Sequence, residues 1–278
     1  TLEISKLTET GIANVLVTLG PPLNRLAGDR DVVARLAELS EGEPLLVRYY
    51  AEDLYQLAQS GAPIDLRKLR PGFGSFFQRW LDNQQQLWRE EGETYDWREV
   101  DSALSVLAFA KGPLESTDLK ALLATVHSLQ IQRADDRVLR PLRRFVIGNG
   151  QPGAGYVLSH PKIGQYLQEE MFRGLAETIR KGFARWGTEY LDAVNSGSVT
   201  EQKASTYGLQ FLAYHLQEVD APTNDFMKMT GNGWRIAWER LEGGQRGFAT
   251  TVRIAYAAAS RETLSASIGS RWRCALAL

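Results

Sequence analysis

The sequence predicts a mainly α-helical chain with one small β-hairpin, divided into three domains over residues 1–92, 93–173 and 174–278. Three observations carry this. Apolar residues recur at i, i+3, i+4 and i+7 through most of the chain, the period of a helix with one buried face. Glycine and proline cut that pattern at helix-length intervals. One stretch, "FVIGNGQPGAGYVLS", instead sets two short β-type runs around a glycine-rich loop, the pattern of a hairpin.

In the first domain Thr8 caps a helix whose apolar residues are Ile12, Val15, Leu16 and Leu19, and Gly20, Pro21 and Pro22 stop it. Asp31 is placed to cap the second helix, with Val32, Val33, Leu36 and Leu39 on its apolar face. Gly42 then arrives where a left-handed C-terminal residue is wanted, a conformation that a side chain makes costly. Pro44 sits at the first position of the next helix, where its ring presets φ and its missing N–H costs nothing. Leu46, Tyr50, Leu54 and Leu57 continue that helix, and another spans about Phe76 to Trp88 after the loop "GAPIDLRKLRPG". Spacing alone does not separate a Gly42–Pro44 pair that merely punctuates from one that lines a site.

In the second domain Asp96 and Glu99 form a capping-box pattern ahead of Val100, Ala103, Leu104 and Leu107, and "KGP" ends the helix. A short helix follows from Thr117 to Ala124, and a further one falls within "SLQIQRADDRVLRPLRRF", interrupted by Pro141. With the hairpin after them, these are the parts of a winged helix. Pro161 opens the next helix, whose inward face is Ile163, Tyr166 and Leu167. His160 is thereby held at a strand-to-helix junction, beside backbone N–H groups expected to be free and to favour an anion.

The third domain is helical again. Phe183, Trp186, Tyr190 and Leu191 mark one helix, and Leu209, Leu212, Leu216 and Val219 another. Trp234 shares a face with Trp238, as Phe248 does with Val252. No fixed-period repeat emerges, and residues after Arg261 show only weak periodicity.

Composition removes several classes of function. A 278-residue chain buries roughly 75% of its unfolded surface, so core is not limiting. A formal net charge of -1 gives no general attraction for nucleic acid or anionic lipid. One cysteine, Cys274, can form neither an intrachain disulfide nor a zinc site, which leads to the expectation of a reducing, cytoplasmic location without membrane attachment. His127, His160 and His215 are widely separated and no H-E-x-x-H or G-x-S-x-G occurs, so neither a metal site nor a catalytic residue is expected. His215 and the tryptophans read as core. The opening on threonine suggests a piece of something longer.

The order "LEISKLTETGIANVL", then "LAELSEGEPLLVRYY", then a winged helix closing on "YVLSHPKIGQYL", resembles the C-terminal half of the regulatory ATPase module of STAND proteins, the NACHT and NB-ARC relatives. The resemblance covers about residues 1–173. In that family a helical domain carries Gly-x-Pro, matched by Gly42, Glu43 and Pro44, whose proline lies against the adenine of bound nucleotide. The winged helix carries a histidine, matched by His160, that contacts the β-phosphate of ADP and holds the closed state. Leu158-Ser159 and Pro161 stand where NB-ARC members have other residues beside that histidine. The helices after residue 173 resemble the stalk that follows the winged helix in such proteins.

The resemblance implies a regulatory portion of a signal-transduction ATPase in bacterial defence or signalling. It would close over ADP at rest and open on ATP exchange or on sensing a trigger ligand, then self-oligomerise and activate an effector. No G-x-x-x-x-G-K-[ST] occurs, so ADP or ATP would be bound jointly with an upstream nucleotide-binding domain, and the fragment alone is expected to hold no cofactor and to be no enzyme. A rival reading is a winged-helix regulator that binds nucleic acid through Arg133, Arg137, Arg140, Arg143 and Arg144, a run broken by Asp135 and Asp136. In the switch reading these arginines face a neighbouring domain or water.

Overall fold

A computed structural model of the chain describes residues 5–60, 65–67, 69–90, 96–131, 138–200, 204–262 and 264–277. It is mainly helical with a two-stranded antiparallel sheet. The chain forms two compact units, Thr1–Thr94 and Tyr95–Leu278.

In the first unit α1 (Glu9–Leu19) begins where Thr8 Oγ1 accepts from the Gly11 amide at 3.2 Å, and it buries Ile12 and Leu16. Leu19, expected on that face, is the helix's last residue and is 52% exposed. Helix α2 (Arg30–Ser40) is capped by Asp29, not Asp31: the Asp29 carboxylate accepts from the amides of Asp31 at 3.0 Å and Val32 at 3.3 Å. The helix starts earlier than the spacing suggests, and Asp31 sits in its first turn, where the amide dipoles still favour a carboxylate.

Helix α3 (Pro44–Ser60) buries Leu46, Tyr50 and Leu54, and α4 (Phe73–Glu90) buries Phe76 and Phe77. Phe76 joins the two helices. It stacks on Tyr49 at 5.4 Å and meets Tyr50 edge-on at 5.1 Å. Burial of such rings contributes about 1.5–3 kcal/mol each, so this aromatic seam is a principal hold between α3 and α4. The connecting loop is tied to α2: Arg35 donates to the carbonyls of Leu66 and Leu69, and the Gly72 amide donates to Leu39 O at 3.0 Å.

The second unit is built on α5 (Trp97–Phe109), capped by Asp96 through the Arg98 amide at 2.9 Å. Beyond the expected face of Val100, Ala103, Leu104 and Leu107, every residue from Ser102 to Phe109 is buried. A helix covered all round is a central helix. Around it pack α6 (Ser116–His127), α7 (Pro161–Tyr166) with the π-turn Leu167–Met171, and the 20-residue α8 (Ala176–Asn195). The further helix expected before the hairpin falls partly on residues 132–137, outside the described residues; the rest of that stretch holds a single 3₁₀ turn, Arg140–Leu142, containing Pro141.

The hairpin pairs β1 (Val146–Ile147) with β2 (Val157–Leu158), Val146 opposite Leu158. Leu114 adds a rung, exchanging backbone hydrogen bonds with Tyr156 at 2.9 and 2.7 Å. Gly155 permits this approach, since a Cβ there would stand 2.8 Å from the Leu114 backbone.

Helices α9 (Thr206–Glu218), α10 (Thr223–Met227), α11 (Asn232–Glu242), α12 (Arg246–Ala259) and α13 (Leu264–Ala277) complete the unit. Helix α8 packs on α9 and α11, and α12 on α10 and α13. Their shared core includes Leu212, Trp234, Trp238, Phe248 and Val252. The weakly periodic tail is thus a helix. It inserts Cys274, fully buried, against Met227, with 3.6 Å between the sulfurs.

Candidate functional site

The Gly42–Pro44 corner lies in the first unit. Glu41 and Gly42 are both left-handed, at φ 52° and 72°. Backbone bonds fix the corner on several sides: Gly42 N–H donates to Ser40 Oγ at 3.3 Å, Glu43 N–H to Ser40 O at 2.9 Å, and Leu7 N–H to Gly42 O at 2.7 Å. A Cβ on Gly42 would stand 2.8 Å from Leu7 O. Both φ and contact therefore require glycine here. Pro44 is the first residue of α3, as expected, and its ring is half-buried.

His160 lies in the second unit, just past β2. Ser159 N–H donates to Phe145 O at 2.7 Å, which fixes the strand exit, and the extended His160 backbone (φ -153°, ψ 139°) makes it the N-cap of α7. Its Nδ1 accepts from Lys162 N–H at 3.1 Å. The amides expected to be free for an anion are engaged: Pro161 has none, Lys162 gives its own to the imidazole, and Ile163 donates to His160 O at 3.1 Å. The sequence pattern does not reveal this, because histidine is an uncommon cap. The consequence falls on the ring. A neutral imidazole that accepts at Nδ1 carries its proton on Nε2, so the half-buried side chain offers one N–H donor.

Of the arginine cluster, Arg137 and Arg133 lie outside the described residues. Arg140 and Arg143 are both exposed, and in a 3₁₀ turn residues three apart lie on one side, whereas Arg144 is half-buried.

Polar groups that the pattern did not single out form two ties inside the second unit. In the first, the Lys111 amide donates to Tyr207 Oη at 3.1 Å, leaving the phenol proton to donate to His215 Nε2 at 2.7 Å. His215 Nδ1 stands 3.6 Å from Glu218 Oε2, longer than a hydrogen bond, and Glu218 is ion-paired with the Lys111 ammonium. The nearby His215 ring and the Lys111 ammonium lower the pKa of the Glu218 carboxyl, while burial lowers the pKa of His215 and raises that of Tyr207. Gly112 completes this tie, since a Cβ there would meet the Phe211 ring at 2.6 Å. A groove of about 520 Å³ opens beside it, lined by Lys111, Phe211, Tyr214, Gln217 and Glu218. In the second tie Ser205 Oγ, which caps α9 by accepting from Gly208 N–H at 2.9 Å, donates to the buried Asp118 Oδ2 at 2.8 Å.

His127, at the end of α6, is bonded through Nε2 to Ser105 Oγ at 2.7 Å, and burial lowers its pKa. Among the described residues no three His, Cys, Asp or Glu side chains gather as metal ligands would, and no helix is long and apolar enough to cross a membrane. No family model matches the chain, and no match is found among curated proteins or solved structures.

Proposed function

We propose that this chain is the regulatory portion of a STAND-type signal-transduction ATPase, responding to nucleotide held by a partner domain that carries the phosphate loop these residues lack. The observation that carries the reading is the state of His160: Lys162 N–H occupies Nδ1, so Nε2 is left as a fixed hydrogen-bond donor of the kind a phosphate oxygen accepts. Pro44, with its half-buried ring after the glycine corner, is the adenine contact in this reading.

ADP would be favoured at rest because His160 donates to its β-phosphate only in the closed arrangement. A charge-assisted bond of about 1.5–3 kcal/mol biases that state about 10-fold to 150-fold. Exchange for ATP, or a trigger ligand, would release it, allow self-oligomerisation and activate an effector in bacterial defence or signalling. The test is the ADP carried through purification by the chain joined to its nucleotide-binding domain, against a His160→Ala variant. Equal content removes the reading, and loss supports it when His160→Asn, which keeps a side-chain cap, loses ADP as well.

A second reading, nucleic-acid binding, draws on the two exposed arginines Arg140 and Arg143. Fluorescence anisotropy with duplex DNA decides it: steeply salt-dependent binding favours it, and none at low salt excludes it.

A further inference from the structure

Asp118 is only 6% exposed and joins two helices far apart in sequence, α6 and α9, through the hydroxyl of Ser205. An ionised carboxylate has about four acceptor sites and, once out of water, needs several donors or a cation. Among the described residues Asp118 has one hydroxyl donor, besides the first-turn amide dipoles of α6, which favour its ionised form. Among the described residues the groups that bear on it are Glu115 at the start of its own helix, Tyr190 from α8 and Tyr207 from α9, with no lysine, arginine or histidine. Ser205 is itself committed: its hydroxyl accepts from Gly208 N–H, and its own amide donates to Tyr190 Oη. Ser205 has no further donor to give: its one hydroxyl proton is on Asp118 and its amide is held by Tyr190 Oη.

We propose that Asp118 makes the packing of α6 on α9 proton-sensitive, more stable when the carboxyl is protonated and less stable when it is ionised, because a buried charge with one donor costs more than the stronger Ser205 bond returns. Burial, with Glu115 adding to it and the Ser205 bond opposing, pushes the carboxyl from 3.8 up to about 6. A folded state that holds the proton more strongly than the unfolded chain loses stability as pH rises through that interval. At neutral pH the joint is therefore in its less stable form, and mild acid or a donor brought to Asp118 stabilises it. This concerns the packing of α6 on α9 and stands independently of the nucleotide reading.

The test uses opening constants from amide exchange at Leu209 and Leu212, buried on α9, corrected for intrinsic exchange. They are measured at pH 5 and pH 7.5 in the wild type and in Asp118→Asn. The wild-type ratio between the two pH values is expected to exceed that of the variant about tenfold, the figure that titration at about 6 rather than 3.8 gives. Comparing ratios cancels His127 and His215, present in both proteins. Equal ratios overturn the proposal. Should Asp118→Asn not fold, the carboxyl ¹³C resonance of Asp118 in the wild type decides: a midpoint near 6 supports it and one near 4 overturns it.

Discussion

The amide of Leu7 donates to the carbonyl of Gly42 at 2.7 Å, and a Cβ placed on Gly42 would stand 2.8 Å from the carbonyl oxygen of Leu7. The segment before α1 is thus laid directly against the α2–α3 corner. Gly42→Ala would impose a left-handed φ of 72° on an L residue and push Leu7 away. The expected loss is about 2–4 kcal/mol, seen as a lower urea midpoint. Pro44→Ala, at a helix start with no N–H bond to lose, should cost under about 1 kcal/mol. Similar losses for the two would show that the corner is not held as described.

Tyr207→Phe removes one oxygen and strands two partners, the part-buried Lys111 amide and the buried His215 Nε2. The expected cost is about 1–3 kcal/mol. Glu218→Gln weakens only a pair in which both side chains are about a third exposed, at 36% and 30%, and should cost no more than about 1 kcal/mol. Urea denaturation of the two variants checks the ranking.

His127 and His215 both have pKa values lowered by burial. A base whose folded pKa is depressed gives stability that is full above the unfolded value of about 6.5 and is lost as pH falls below it. The effect is opposite in sign to that of Asp118. In Asp118→Asn the melting temperature should therefore be lower at pH 5 than at pH 7.5. Histidine ring resonances in the wild type check the cause directly, with His127 and His215 titrating below 6.5.

Two glycines on helices mark close packing. A Cβ on Gly187 would come within 2.2 Å of buried Leu212, and one on Gly247 within 2.0 Å of the Trp238 ring. Either change to alanine should cost about 1–3 kcal/mol through overpacking. Gly174 has nothing within 4 Å and no left-handed φ, so Gly174→Ala should be neutral or slightly stabilising. Thermal melts of the three variants separate these cases.

The features legible in the sequence are local ones. Thr8, Asp96, Gly42 and Pro44 act through neighbours close in the chain, and their roles as caps and stops rest on backbone chemistry alone. The hairpin was readable for the same reason, but its extra rung was not, because Leu114 and Tyr156 are paired by tertiary packing. Lys111 and Tyr207 stand 96 positions apart and Asp118 and Ser205 stand 87 apart, so no window of sequence contains either tie. Helix α13 escaped because small and polar residues dilute its period, while its anchors, Ser267 and Cys274, are not strongly hydrophobic. At the candidate site, the position of His160 was legible and its bond to Lys162 was not.

That bond allows the structural and ligand roles of His160 to be separated. The imidazole caps α7 through Nδ1, so His160→Ala removes a cap worth about 1 kcal/mol as well as the Nε2 donor. A fall in ADP content in that variant could then reflect a loosened strand-to-helix junction. Asparagine is among the best N-cap residues, and its side-chain oxygen can accept from Lys162 N–H in place of Nδ1. His160→Asn should therefore keep wild-type stability while losing the imidazole donor, since its own amide N–H groups, on a shorter side chain, fall short of where Nε2 reaches. If His160 meets the β-phosphate, both variants lose ADP about 10-fold or more faster than the wild type, and only His160→Ala loses stability. Should His160→Asn retain ADP as the wild type does while His160→Ala does not, the histidine is a cap and nothing more. Stopped-flow release of a fluorescent ADP analogue, alongside thermal melts of the same preparations, distinguishes the two outcomes.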